Sequence, residues 1–110
     1  MEIFEAVHAF SALGQDTRLA VVRLLVKAGR EGVPAGEIGT MLCVKPNTLS
    51  ANLAVLTNAG LIRFERQGRV IRYFADMDGI GGLLGFLMED CCGGRPELCR
   101  PVVKEIACAC

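Results

Sequence analysis

Three of the chain's six cysteines crowd into one run, Cys91-Cys92-Gly93-Gly94-Arg95-Pro96-Glu97-Leu98-Cys99. Thiolate is a soft ligand, so three thiols with no histidine beside them describe a sulfur-only site for a thiophilic ion. Successive residues on a helix diverge by about 100°, so Cys91 and Cys92 can share an ion only where a helix is ending. Gly93-Gly94 supplies such an ending and lets the chain turn back toward Cys99. Zinc asks for a fourth ligand, and cobalt or nickel for imidazole or carboxylate. A three-coordinate ion suits the set better: trivalent arsenic or antimony first, then cadmium, lead or mercury. Neighbouring thiols can also act as a redox pair or stand idle on a surface, and the residues alone leave these readings open. Cys108 and Cys110 end the chain as C-x-C, thiols that could add a ligand to the same ion, make a second site or form a mobile tail, the last being favoured.

A second chemistry lies in VKPNTLSANLAVLTNAGL, residues 44–61. Leu49, Leu53 and Leu56 recur at i, i+4 and i+7, the stripe of an amphipathic helix. Pro46 suits its first position and Gly60 its end. Asn47, Thr48, Ser50 and Asn52 are then expected on the opposite face. Short uncharged donors and acceptors there fit a helix that meets base edges in a DNA major groove. LIRFERQGRVIRYFA follows, two β-branched and aromatic runs around a tight turn at Gln67-Gly68, crowded by Arg63, Arg66, Arg69 and Arg72. A basic β-ribbon after such a helix is a wing, with Lys45, Arg66, Arg69 and Arg72 available to the phosphate backbone.

Other elements must hold these residues in place. Ile3, Val7 and Phe10, with Phe4 beside them, mark a first helix over residues 2–13, with His8 on its surface. Asp16 is an N-cap for a second, carried by Leu19, Val22, Leu25 and Val26 to Gly29. Residues 34–42 make a third, with Ile38, Met41 and Leu42 inward. Cys43-Val44-Lys45 is the turn of a helix-turn-helix, where Cys43 reads as a small buried hydrophobe. After the wing, Asp76 or Asp78 caps a last helix built on Ile80, Leu83, Leu84, Leu87 and Met88. Its glycines 79, 81, 82 and 85 each cost a helix interior on the order of 1 kcal/mol. Close approach to another helix would offset that loss, so the first and last helices are expected to build a homodimer interface.

Length points to one winged domain over residues 1–90 with a cysteine-rich tail over 91–110. The fold expected is mainly α with a β-hairpin wing, a winged helix-turn-helix. A hydrophobic fraction of 52% is high for so short a chain and favours burial against a second copy. Formal net charge is zero, so any grip on nucleic acid must come from local clusters of arginine. No run reaches membrane-span length, and MEIFEAVHAF lacks the features of a signal peptide, so a cytoplasmic chain with reduced thiols is expected. No catalytic constellation or nucleotide loop is present, and an enzyme is not expected.

AFSALGQDTRLAVVRLL together with GEIGTMLCVKPNTLSANLAVLTNAGLIRFERQGRVIRYF resembles the ArsR/SmtB family of small dimeric winged-helix repressors over about residues 8–88. The resemblance rests on the Asp16-Thr17-Arg18 start, the S-x-x-L-x-x-L-x-x-A-G-L segment and the R-x-G-R-x-x-x-Y wing. It implies a metal-free homodimer that holds a two-fold symmetric double-stranded operator and leaves it when an ion binds, with no organic cofactor. Where many members carry two cysteines around a valine in the third helix, this chain has Glu37-Ile38-Gly39-Thr40. A single histidine cannot build the His/Asp zinc site of others, and Ala51-Asn52 replaces a common Arg-His pair. The C-C-G-G-R-P-E-L-C ending is similar to arsenite-responsive members, which implies Cys91, Cys92 and Cys99 as ligands of As(III) or Sb(III). The alternatives are a redox-sensing repressor and a sensor of cadmium or lead.

Overall fold

The computed structural model describes residues 1–89 and 95–108, and the side chains of all of these but 96, 107 and 108. The elements are α1 (Ile3–Leu13), α2 (Asp16–Ala28), a 3-10 turn (Gly29–Glu31), β1 (Val33–Pro34), α3 (Ala35–Leu42), α4 (Pro46–Asn58), β2 (Ile62–Gln67), β3 (Val70–Ala75), α5 (Met77–Leu87) and α6 (Pro96–Cys108). This is the winged helix-turn-helix expected, mainly helical, with an antiparallel sheet in the order β1-β3-β2.

The apolar stripe of α1 exists but faces outward. Ala6, Ala9 and Ala12 are its buried residues, while Ile3, Phe4, Val7 and Phe10 are all exposed. Methyl-sized side chains on the inner face let α1 lie close against its neighbours. In α2 the cap is Gln15 rather than Asp16: Gln15 Oε1 accepts the Arg18 N–H at 2.9 Å, and Asp16 opens the helix with its charge near the positive end. Val21, Val22 and Leu25 are its core residues, whereas Leu19 and Val26, expected inward, are exposed. Val21, Val22 and Leu25 join Ile38, Leu49, Leu53, Leu56, Leu61 and Ile62 in one hydrophobic core.

The third strand went unread in the sequence because it is two residues long. Pro34 both pairs with Arg72 and caps α3, which starts one residue later than expected. Gly32 makes that pairing possible. Its φ of 61° and ψ of −170° lie where only glycine sits freely. A Cβ there would meet the Tyr73 carbonyl oxygen at 2.5 Å and the Phe74 ring at 2.7 Å.

Met41, expected to face inward, is exposed. So is Cys43, expected buried: it ends α3 with φ 55° and ψ 45°, the left-handed conformation that turns the chain into α4, and its thiol points outward. At the start of α5, Asp76 Oδ1 accepts the Gly79 N–H at 3.0 Å, and Gly79 packs against the Gly60 carbonyl where no Cβ would fit. That approach accounts for one of the four glycines. Among the described residues no helix is long and apolar enough to cross a membrane.

Candidate nucleic-acid interface and the cysteine segment

Helix α4 is anchored by Leu49, Asn52, Leu53 and Leu56, all buried. With that stripe inward, Lys45, Pro46, Asn47, Thr48, Ser50 and Ala51 are all exposed along its N-terminal half. No side chain caps the helix start, and Pro46 fills the first position. The first-turn N–H groups therefore stay available, with the positive end of the helix dipole behind them, to a phosphate oxygen.

Asn52 was expected on this face and is not there. It is 8% exposed, and both ends of its amide are engaged: Oδ1 accepts from Arg18 Nη1 and Nδ2 donates to the Thr48 carbonyl oxygen, each at 3.1 Å. A residue so enclosed cannot reach a base edge, so the base-reading candidates reduce to Asn47, Thr48 and Ser50. Arg18 is the residue that reading missed. Its only sequence signal was Asn52 itself, a polar residue three positions after Leu49 and four before Leu56, both on the core stripe.

The wing is a six-rung hairpin, from Ile62 opposite Ala75 to Gln67 opposite Val70. Its two loop residues are Gly68 and Arg69, one position later than expected. Gly68 has φ 67° while Arg69 does not have positive φ, the pattern of a type II′ turn that suits the twist of a hairpin. The four arginines divide by partner. Arg63 stacks over Phe74, 4.4 Å from the ring centroid, and pairs with Glu65 at 3.3 Å. Arg72 is half-buried, donating from Nε to Gln67 Oε1 at 3.1 Å and from Nη1 to the Glu31 carbonyl at 2.9 Å. Arg66 and Arg69 are exposed, with no hydrogen bond or ion pair to another described residue. Arg69 borders a cleft whose other wall is Ala35, Gly36 and Glu37 at the start of α3. Among the described residues of this face, Arg66 and Arg69 on the wing and Lys45 at the helix start are without such partners, while Arg63 and Arg72 brace the sheet.

Behind the wing, Tyr73 packs its ring 5.7 Å from that of Phe64, and burial pushes its hydroxyl above the ordinary phenol range.

Of the cysteine cluster, Cys91 and Cys92 lie outside the described residues. Cys99 is half-buried in the first turns of α6 and is disulfide-bonded. Residues 96–108, expected as tail, are helical through an internal Pro101, with Leu98, Val102, Val103 and Ile106 exposed on the surface. Among the described residues no three His, Cys, Asp or Glu side chains converge on a metal position. Cys110 also lies outside them.

A helix-turn-helix domain model matches residues 13–63. An uncharacterized HTH-type transcriptional regulator of Bacillus subtilis, YbzH, is 33% identical over 98 residues, which span 78% of this chain and 98% of that protein. A protein assigned as the arsenical resistance operon repressor ArsR of Halobacterium salinarum is 34% identical over 73 residues, spanning 66% of this chain and 56% of its own length. Among solved structures, an ArsR-like transcriptional regulator from Rhodococcus is similar with a TM-score of 0.72 at 27% identity, covering 96% of this chain and 94% of that one. These relatives are transcriptional regulators rather than enzymes, and the chain belongs to the HTH-type, DNA-binding transcriptional regulators, with likeness to their ArsR members.

Proposed function

We propose that the chain is a homodimeric repressor that holds a two-fold symmetric operator and releases it when trivalent arsenic or antimony binds Cys91, Cys92 and Cys99. The observation that carries the DNA half is the exposed strip formed by Lys45, Asn47, Thr48 and Ser50 on α4, together with the unpaired Arg66 and Arg69 on the wing. Asn47, Thr48 and Ser50 read bases, while the three cations hold phosphates and set the salt dependence. Dimerisation is supported by the bulky outer face of α1 and by Leu84 and Leu87 on α5, all exposed. Gly81 and Gly85 on α5 face open space, which a partner helix could enter closely.

The inducer half is supported by the donor chemistry of three soft sulfurs and by the likeness to the halobacterial arsenical resistance operon repressor. Binding an ion shifts the molecule only if one conformation binds it more tightly. Drawing Cys99 toward Cys91 and Cys92 reorients the chain just beyond α5, next to the proposed subunit seam. Typical allosteric coupling of about 1–3 kcal/mol would weaken operator binding roughly 5- to 150-fold.

A second reading is favoured by one observation: Cys99 is disulfide-bonded. In that reading oxidation of the same thiols, not an ion, releases DNA. Operator binding followed by fluorescence anisotropy separates the two. The reduced protein is titrated with arsenite, antimonite, cadmium, lead and zinc, and in parallel with peroxide followed by dithiothreitol. Release by arsenite under reducing conditions, abolished by Cys→Ser at 91, 92 or 99 with DNA binding kept, supports the first reading. Release by peroxide alone, reversed by dithiothreitol, replaces it with the second.

A further inference from the structure

Asn52 is the one buried polar side chain among the described residues, and it stands in the core stripe of the helix that meets DNA. Leucine at that position would serve packing alone. An amide taken out of water costs free energy unless its groups find partners, so its presence there calls for a specific network. The network is complete. Arg18 Nη1 donates to Asn52 Oδ1 at 3.1 Å, Arg18 Nε donates to the Ala12 carbonyl oxygen at 2.6 Å, and Asn52 Nδ2 donates to the Thr48 carbonyl oxygen at 3.1 Å. Ala12 lies in the last turn of α1, where carbonyls lack helical partners and the dipole favours a cation. One guanidinium therefore closes the end of α1, springs from the first turn of α2, and holds α4 from behind. Arg18 is itself fixed at its backbone by Gln15.

Apolar packing restrains a helix's distance from its neighbours better than its roll, because contact area changes slowly with rotation. Roll is what base reading needs. A rotation of about 10° moves an atom at the helix's outer radius of about 5–6 Å by about 1 Å, comparable with the whole tolerance of a hydrogen bond. Directional bonds to Asn52 resist that rotation, and Thr48, whose carbonyl takes one of them, is a base-reading candidate.

We propose that Arg18 and Asn52 form a positioning pair that fixes the roll of α4 against the α1–α2 scaffold and so sets the sequence discrimination of DNA binding, leaving its electrostatic strength to Lys45 and the wing. This rests on the DNA-binding reading above.

The test uses the full chain and its variants R18M, N52L, N52D and the double variant R18M/N52L. The probe is the duplex that the wild-type protein enriches from a randomised pool, compared with a scrambled duplex of the same composition by anisotropy at two salt concentrations. N52L should lose about tenfold of the enriched-to-scrambled affinity ratio, the worth of one base contact, with scrambled-duplex affinity and salt slope unchanged. R18M, whose side chain lies behind the helix, should lose the same, and the double variant no more than either single one. N52D keeps an acceptor for Arg18 and should retain most of the ratio. Circular dichroism checks folding; if R18M unfolds, N52L against N52D decides. A folded N52L with wild-type discrimination overturns the proposal, as does additive loss in the double variant or an N52D as poor as N52L. If the wild-type chain enriches no sequence, the DNA-binding reading itself falls and this pair's role with it.

Discussion

Arg72 reaches across 41 positions of sequence to the backbone of Glu31, its Nη1 2.9 Å from that carbonyl oxygen. The bond ties the wing at its Glu65–Arg72 rung to the turn after α2, while Arg69, three residues earlier, sits in the two-residue loop without a hydrogen-bond or ion-pair partner among the described residues. The two arginines should therefore separate in experiment. Arg72→Ala should cost stability of about 1 kcal/mol, read in a denaturant melt. Arg69→Ala should leave the melt unchanged, weaken all DNA sequences about equally and lower the salt slope by about one. Equal effects of both on the melt would refute the division between bracing and contacting arginines.

Gly32→Ala should be among the most damaging single-methyl changes in the chain. It combines a backbone conformation closed to side chains with a clash against Tyr73 and Phe74. The expected loss is about 2–5 kcal/mol. An unchanged midpoint in chemical denaturation would mean that β1 does not lie where it is described.

The outward stripe of α1 gives a third test. Phe4 and Val7 are 70% and 62% exposed, far more than their size favours in a chain that works alone. Phe4→Glu or Val7→Glu should convert a sedimenting dimer into a monomer with the same helical content. A dimer that persists in both variants places the subunit seam elsewhere.

Tyr73 predicts how the fold responds to alkali. Burial raises its hydroxyl above the ordinary value of 10.0, so the folded chain holds that proton more tightly than the unfolded chain does. The resulting stability is whole below the unfolded value and is lost as pH climbs through the raised folded one. The chain has a single tyrosine, so tyrosinate absorbance follows this group alone. Its midpoint should lie above the ordinary value, and Tyr73→Phe should flatten that part of the alkaline decline. A midpoint at or below the ordinary value would contradict the burial.

The helices, the helix-turn-helix and the hairpin were legible because apolar periodicity and turn chemistry are local signals. What escaped was set by partners distant in sequence. Periodicity finds the stripe of Ile3, Val7 and Phe10 but not which way it faces; the alanines on the other side decided that. The leucine period of α4 marks its buried face, yet Asn52 falls in the same stripe, and its amide oxygen is satisfied by Arg18, 34 residues away. Strand β1 carries too few residues for any period. The arginines of the wing look alike in sequence, and their division into bracing and free ones depends on Phe74, Glu65, Gln67 and Glu31. The cysteine cluster, read first from the sequence, is the part the described residues address least, through Cys99 alone.

A hairpin closed by only two residues has no slack. With six paired rungs and the minimal loop, the reach from the first rung at Ile62 to the last at Gln67 is a count of residues, about 17 Å at 3.4 Å per step. The wing is a ruler: a pair of residues added to each strand would carry the guanidinium about 7 Å outward while restoring the same face, and one residue added to a single strand would force a bulge that bends the hairpin instead.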